Sequence, residues 1–136
     1  MPSGRKDYVK ISVDVPIRYK FLSKTIEVKD QDVHEGHTNN ISGSGLVLVV
    51  KIPDGDTLKG LLSNEILIGI NLLLPSQDEA IKALGKLAYI EALPEMPGKC
   101  GLSVRFLDMP KDASDQILRY TIRAQITKKV RRSELP

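Results

Sequence analysis

The chain has 136 residues, of which 41% are hydrophobic and 27% charged, and this composition predicts a single soluble domain with an adequate core. Its net charge of +3 lies largely in basic clusters at the two ends, and four Tyr, two Phe and no Trp are too few for an aromatic platform that stacks single-stranded nucleic acid. The single Cys excludes an intrachain disulfide, and the lack of a signal-peptide pattern or a long apolar run predicts a cytoplasmic protein.

The first predicted element is a long β-strand in which apolar and polar side chains alternate. Its apolar members are Val9, Ile11, Val13, Val15, Ile17, Tyr19 and Phe21. Period-2 alternation over this length is typical of a strand with one buried face. Pro16 has no backbone N–H, so the strand is expected to be an edge at that point or to carry a bulge.

More strands follow in chain order. Residues 29–37 are polar and contain Gly36, which predicts a turn before a second strand that leads into Asn40, and residues 45–51 form a third. Residues 53–56 read Pro-Asp-Gly-Asp, a strong turn signal. The last three predicted strands are 65–74, 80–93 and 99–108. Their predicted inward faces hold Ile66, Ile68, Ile70, Leu72 and Leu74, then Ile81, Ala83, Leu87, Tyr89 and Leu93, then Leu102, Val104 and Phe106.

Helical periodicity replaces the alternation after residue 108. The apolar stripe consists of Ile117, Tyr120, Thr121 and Ala124, with Leu118 and Ile122 expected to widen it. Asp112 and Asp115 favour a helix start, and the pair Lys128–Lys129 favours a helix end because cations stabilise the negative end of the dipole.

These elements predict an all-β domain with a terminal helix. The expected fold is a six-stranded antiparallel β-barrel followed by a C-terminal α-helix. The whole chain, 1–136, is predicted as one domain. Its parts are a flexible basic arm (1–10), the barrel (11–108), the helix (110–128) and a basic tail (129–136).

The most distinctive stretch is the polar turn before the third strand. It reads Asn40-Ile41-Ser42-Gly43-Ser44-Gly45 and opens directly into an apolar run. Such a turn exposes backbone amides and side-chain donors to a small anionic ligand. A basic cluster of Arg5, Lys6 and Lys10 lies upstream, in front of the first strand. The alternative is purely structural, with Gly43 and Gly45 supplying positive φ angles in a tight hairpin.

Catalytic and metal sites lack necessary parts. His34, Glu35 and His37 can begin a metal site, but a closed site needs further ligands and no other His or Cys supplies them, so solvated loop histidines are expected. Ser42 as a nucleophile would need a base and a strand-to-helix turn, whereas the turn at Gly43 to Gly45 enters a strand. Cys100 is interpreted as structural. The sequence therefore predicts no enzyme, metal or cofactor.

With the polar turn, the basic cluster and the strands in this order, the chain resembles the PilZ domain, the bacterial receptor domain for cyclic di-GMP. The family's Asp/Asn-x-Ser-x-x-Gly motif matches Asn40, Ser42 and Gly45. The strand segment 13–19, Val-Asp-Val-Pro-Ile-Arg-Tyr, resembles the family's Val-x-Val-Pro-Val-Arg-Tyr, and segments 101–108 and 117–122 resemble its last strand and its helix. The resemblance covers nearly the whole chain.

The resemblance implies a non-catalytic regulatory domain that binds cyclic di-GMP and signals to a protein partner in motility, pilus or exopolysaccharide machinery. The implied ligand-binding residues are Arg5, Lys6, Lys10, Asn40, Ser42 and Gly45. The chain departs from the family at the N-terminal Arg-x-x-x-Arg motif, whose arginines fall on Lys6 and Lys10. Lysine keeps the positive charge of arginine but cannot form its two parallel hydrogen bonds. Each lost bidentate contact weakens binding by about 1–3 kcal/mol, so we expect modest affinity for cyclic di-GMP.

Two other functions stay open from the sequence. One is a protein-interaction domain of the same fold that does not bind the nucleotide, which the Lys-for-Arg changes favour. The other is nucleic-acid binding through the basic ends, which the shortage of aromatic residues disfavours. The sequence does not name the protein partner.

Overall fold

The computed structural model describes residues 9–75 and 77–134, with side chains described for 14–75 and 77–126. The elements are β1 (Val9–Leu22), β2 (His34–Ile41), β3 (Gly45–Lys51), α1 (Gly55–Leu62), β4 (Leu67–Leu72), β5 (Ile81–Ala92), β6 (Lys99–Asp108) and α2 (Ala113–Glu134). All strand pairs are antiparallel, and they close a barrel in the order β1-β2-β3-β6-β5-β4. The six-stranded barrel with a terminal helix is confirmed.

The core fills the inside of the barrel, and strand alternation explains which residues enter it. Every member of the predicted inward face of β4 and its flanks, from Ile66 to Leu74, is buried. Cys100, Leu102 and Val104 of β6 point inward as well, so the residues between them belong to the outer face. One end of α2 adds Ala113 and Ile117 to this core.

Pro16 sits where β1 has a neighbour on one side only. It lies opposite His37 of β2, whereas the ladder with β4 starts one residue later, at the pair Ile17 and Leu72. The β1–β2 register also shifts between Lys10 and Val15. The register itself is regular through Pro16, from Val15 to Tyr19, so the irregularity lies upstream, and the edge position expected from the missing N–H of Pro16 is what the structure contains.

The short helix α1 was not expected from the sequence. The Asp54 side chain accepts a hydrogen bond from the Thr57 backbone N–H at 2.8 Å and so caps the helix. The motif at 53–56, interpreted as a turn, is thus a helix start. Gly55 and Gly60 dilute the helical signal because glycine is a poor helix former.

Helix α2 differs from the expected helix in its bounds and in its buried face. It begins at Ala113 and runs to Glu134, rather than over 110–128. Leu118 and Ile122 do not widen the buried stripe, because their exposed fractions are 52% and 45%. None of the helices among the described residues is long and apolar enough to cross a membrane.

Candidate functional site

The turn that joins β2 to β3 is held by hydrogen bonds from Ser42. The Ser42 backbone N–H donates to the Gly45 carbonyl oxygen at 2.8 Å, and the Ser42 Oγ accepts from the Ser44 N–H at 3.2 Å. The Phe106 N–H donates to the Ser44 carbonyl oxygen at 2.9 Å, which ties the turn to β6. The motif serine is therefore a structural member of the turn as well as a candidate ligand contact.

The two glycines of the turn do not adopt left-handed conformations. Among the described residues, positive φ angles occur at Asn64 and Gly98. The explanation that Gly43 and Gly45 supply positive φ in a tight hairpin is therefore wrong. Gly43 instead lies against the start of α2, where Ser114 Oγ donates to its carbonyl oxygen at 3.4 Å.

Asn40 follows an irregularity in β2 that sets the direction of its side chain. The β2–β3 register shifts between His37 and Asn40, after which Asn40 is opposite Val47. The fully buried Thr38 fastens this bulge, because its Oγ1 donates to the Asn40 carbonyl oxygen at 2.9 Å and accepts from the Asn40 N–H at 3.2 Å. The next residue, Ile41, enters the core, so Asn40 faces outward.

The Oδ1 atom of Asn40 is closed off from solvent and has no hydrogen-bond partner in the part of the chain that the structure describes. Leaving a buried polar atom unpaired costs about 1–3 kcal/mol. Buried polar atoms are nearly always satisfied in folded proteins, and so this exception requires an explanation. A bound molecule that donates a hydrogen bond to Oδ1 supplies one.

Strand pairing gathers several motif positions on the outside of the barrel. Gly45 is opposite Arg105, Val47 is opposite Ser103, and Asn40 is opposite Val47. We call this surface the outer patch. It consists of the outward positions of four strands next to the turn: Asn40 of β2, Gly45 and Val47 of β3, Ser103 and Arg105 of β6, and the residues of β5 opposite those two. The β1–β2 register also puts Lys10 opposite Asn40. Arg5 and Lys6 lie outside the described residues, as does the side chain of Lys10.

Two cations of the outer patch were not singled out from the sequence. Arg105 is exposed, and it belongs to none of the ion pairs found among the described side chains. Lys86 of β5 is directly opposite it. Alternation in β6 predicts that Arg105 faces outward, but only the β3–β6 and β5–β6 pairing brings it next to Gly45 and Lys86. Two neighbouring cations create a positive potential that attracts phosphate groups.

Tyr89 also belongs to the outer patch, so its predicted inward direction is wrong. The β5–β6 register shifts between Leu87 and Tyr89. Leu87 is opposite the inward residue Val104, whereas Tyr89 is opposite the outward residue Ser103. One extra residue in β5 reverses the direction of the side chains that follow it.

An open cavity of about 420 Å³ adjoins the turn. Its walls come from the turn, the end of β6 and the start of α2, and they include Ser44, Arg105 and Ser114. A larger cavity of about 510 Å³ lies next to Arg18 and Glu35 and contains no residue of the polar turn. Of these two cavities, the smaller one is therefore formed in part by residues of the motif turn.

The two histidines lie in β2 and are separate from each other, rather than in a solvated loop. His34 stacks on Tyr19 with ring centroids 5.2 Å apart, and its Nε2 is 2.8 Å from Asp30. His37 points to the opposite face of β2, and its Nε2 is 3.7 Å from the Asp14 Oδ2 atom. No cluster of three metal-binding side chains occurs within the described ranges.

Burial dominates the ionisation of the groups inside the barrel. It raises the pKa of Tyr19 to about 12, with a smaller contribution from the charge of Asp30. Burial also raises the pKa of the Cys100 thiol, which keeps this side chain protonated and unreactive at neutral pH. Cys100 is part of the core, in keeping with a structural role.

Comparison with known proteins relates this site to a family. The sequence model of the PilZ domain matches residues 5–123. The PilZ domain of Escherichia coli YcgR, solved with c-di-GMP, is 14% identical with a TM-score of 0.61, over 96% of this chain and 99% of that one. No curated protein sequence matches significantly.

Two longer proteins have the same fold. MrkH of K. pneumonia is 20% identical with a TM-score of 0.66, over 93% of this chain and 51% of that one. The Bacillus subtilis inhibitor of motility MotI/DgrA is 16% identical with a TM-score of 0.61, over 91% of this chain and 53% of that one. The chain thus spans about half the length of these two proteins. With the family model matched over residues 5–123 and the barrel, turn and terminal helix in place, the chain belongs to the PilZ domain family.

Proposed function

We propose that this chain is a non-catalytic regulatory domain that binds cyclic di-GMP on the outer patch. The observation that carries the proposal is the unpartnered Oδ1 of Asn40 next to the turn of Ser42 and Gly45. The YcgR domain solved with c-di-GMP supports the choice of ligand, because it matches this chain over nearly the whole of both.

Asn40 recognises guanine in this proposal. Guanine presents the N1–H and N2–H₂ donors on its pairing edge, and an amide oxygen is an acceptor. A hydrogen bond from guanine would remove the cost of leaving Oδ1 buried and unpaired. An acceptor at this position therefore favours a ligand that carries donors, as guanine does.

The cations hold the phosphates. Arg105 and Lys86 flank the turn from β6 and β5, and Lys10 is opposite Asn40 in the β1–β2 register. Arg5 and Lys6 precede Lys10 in the basic N-terminal arm and contribute further positive charge. Arginine grips a phosphate with two parallel hydrogen bonds, whereas lysine acts as a point charge. Lysines at 6 and 10 lead us to propose a dissociation constant in the micromolar range, about −8 kcal/mol.

The bound state is proposed to act on a protein partner. MotI/DgrA carries the description of an inhibitor of motility, which supports a partner in motility machinery or in the related pilus and exopolysaccharide systems. A domain of the same fold that binds a protein without the nucleotide is the second candidate. The observation in its favour is that both arginines of the family's N-terminal motif are lysines here.

Calorimetric titration with cyclic di-GMP separates the two candidates. We expect heat of binding with a micromolar dissociation constant, and no heat with cyclic di-AMP, whose adenine bases lack the N1–H and N2–H₂ donors. A rise in melting temperature with the ligand should accompany binding, because the ligand stabilises the folded state alone. No heat and no thermal shift at millimolar cyclic di-GMP would discard the proposal in favour of the interaction domain.

A further inference from the structure

Helix α2 has apolar side chains on two sides, and the barrel covers only one of them. Ala113, Ile117 and Thr121 are buried, and Tyr120 and Ala124 pack against the core. Residues three or four positions apart lie on the same face of a helix, so these five form the face toward the barrel.

A second apolar stripe runs along the opposite side of α2. It consists of Leu118, Ile122 and Ile126, which follow one another at intervals of four residues and have exposed fractions of 52%, 45% and 56%. At 3.6 residues per turn, Ile122 is rotated by about 160° from the core-packed Ala124. Single exposed apolar residues are common on protein surfaces, whereas a continuous exposed stripe is typical of an interaction surface.

Cations border this exposed stripe. Arg119 and Arg123 are exposed, and each directly follows a member of the stripe along the chain. Asp115, an acid at the start of the same side, is 3.0 Å from Arg119 between Oδ2 and Nη2, so its charge is already compensated. Arg123 belongs to none of the ion pairs found among the described side chains, and its charge is available to an anionic partner.

The helix as a whole is strongly basic, which decides against a second copy of this chain as the partner. Its sequence contains six cations and two acids: Arg119, Arg123, Lys128, Lys129, Arg131 and Arg132 against Asp115 and Glu134. Two such helices placed side by side would repel each other. Charge complementarity requires a negatively charged partner surface instead.

The composition of the stripe favours a lipid surface over an acidic protein. A standard protein interface uses about 20–30 residues on each side, and its binding energy is concentrated in aromatic and arginine anchors that fill pockets. The stripe offers three aliphatic side chains. Helices that lie on membranes use aliphatic side chains at the acyl boundary and Lys or Arg among the headgroups, and a fluid lipid surface needs no shaped complement.

We propose that α2 attaches this domain peripherally to an anionic lipid surface, with the stripe of Leu118, Ile122 and Ile126 at the acyl boundary and with Arg119 and Arg123 among the headgroups. The helix lies in the plane of the surface, because the stripe follows its length. The outer patch consists of strand positions and takes no part in this contact. The inference is therefore independent of the binding of cyclic di-GMP.

Cosedimentation of the whole chain with lipid vesicles, without nucleotide, tests the inference. We expect binding to vesicles of equimolar phosphatidylglycerol and phosphatidylcholine, and binding weaker by about tenfold or more to vesicles of phosphatidylcholine alone. Binding to the anionic vesicles should fall as the salt concentration rises, because salt screens the charges. No cosedimentation with the anionic vesicles would overturn the inference and leave the stripe to an acidic protein partner.

Ile122→Ala and Arg123→Gln measure the apolar and the charged contributions separately. Ile122→Ala keeps a good helix former and should lower the partition coefficient on anionic vesicles by about fivefold or more, because fewer methylene groups enter the lipid. Arg123→Gln should lower it by about fivefold, the effect of one cation at an anionic surface. Both positions are exposed, so the melting temperature without vesicles should stay unchanged in either variant.

The other helix, α1, provides a matched control for each variant. Leu62→Ala and Lys59→Gln replace an exposed aliphatic residue and an exposed cation there, and both should bind anionic vesicles as the wild type does. Losses in these controls as large as those in the α2 variants would show that α2 does not make the contact, and would overturn the inference.

Two further outcomes would also overturn it. Wild-type binding of Ile122→Ala to anionic vesicles would mean that charge alone adsorbs the protein and that the stripe does not enter the lipid. Sedimentation equilibrium without lipid detects self-association, and a dimer that Ile122→Ala dissociates would assign the stripe to a second copy of the chain. Failure of the chain to bind cyclic di-GMP would leave each of these results unchanged, because the assays contain no nucleotide.

Discussion

Gly45 and Arg105 are directly opposite each other in the ladder between β3 and β6. Glycine has no side chain at this outward position, and the Arg105 side chain is exposed beside the polar turn. The pairing of Gly45 with Arg105 places a cation from outside the motif next to a motif residue. Among the arginines that the structure describes, Arg105 is therefore the best placed to bind a phosphate.

Arg105→Gln should therefore weaken binding of cyclic di-GMP by about tenfold or more, since a hydrogen bond to a charged group contributes roughly 1.5–3 kcal/mol. Titration calorimetry at two salt concentrations measures the loss and the expected fall in salt dependence. Arg123→Gln on the exposed surface of α2 removes the same charge away from the patch. Equal losses in both variants would mean that net charge alone governs binding.

Asn40 should be replaceable only by a residue that still accepts a hydrogen bond. Asn40→Leu should weaken binding more than about tenfold, because the desolvated ligand donor would face an apolar group. Asn40→Asp retains an acceptor and should keep most of the affinity. Asn71→Leu, on an exposed position of β4, is the control. Loss of binding in Asn40→Asp to the level of Asn40→Leu would contradict the assigned acceptor role.

Ser42→Ala should reduce both stability and affinity. The side chain supports the turn, because Ser42 Oγ accepts a hydrogen bond from the Ser44 N–H. Removing it should cost about 0.5–1.5 kcal/mol in urea unfolding. Ser23→Ala removes a similar turn contact, in which Ser23 Oγ accepts from the Ile26 N–H at 3.1 Å. That control should lose comparable stability while the affinity for cyclic di-GMP stays unchanged.

Restoring arginine at the two motif positions of the basic arm should tighten the binding of cyclic di-GMP. Lys6→Arg with Lys10→Arg should lower the dissociation constant by tenfold or more, from about 1–3 kcal/mol for each regained bidentate contact. The same change at Lys128 and Lys129 serves as a control at the opposite basic cluster. An unaltered dissociation constant in the arm variant would show that these positions do not contact the ligand.

Gly36→Ala should destabilise the barrel near its centre. A Cβ at this position would lie 2.8 Å from the Val49 carbonyl oxygen, and a backbone atom in a ladder cannot move aside cheaply. Overpacking of this kind costs about 1–3 kcal/mol, which denaturant unfolding would detect. Gly55→Ala at the start of α1 meets nothing within 4 Å and should be neutral or stabilising. Equal stability of the two variants would contradict the close approach at Gly36.

Local patterns were sufficient wherever a feature depends on neighbours in the sequence. The alternation around Ile68 and Leu72 predicted their burial, and the composition of residues 40–45 predicted a polar turn ahead of an apolar strand. Pro16 marked the position where β1 lacks a second partner. These properties follow from side-chain period and backbone chemistry, which a single strand or turn already carries.

The directions of the side chains at the candidate site depend on pairing between strands that are distant in the sequence. A bulge sends Asn40 outward after Thr38, and another sends Tyr89 outward after Leu87, although the alternating pattern of β5 had assigned Tyr89 to the core. Arg105 joins the site only because β3 and β6 are neighbours in the barrel. The direction of a side chain after a bulge is set by the register with the partner strand. Register is a property of the closed barrel, and no single segment of the chain contains it.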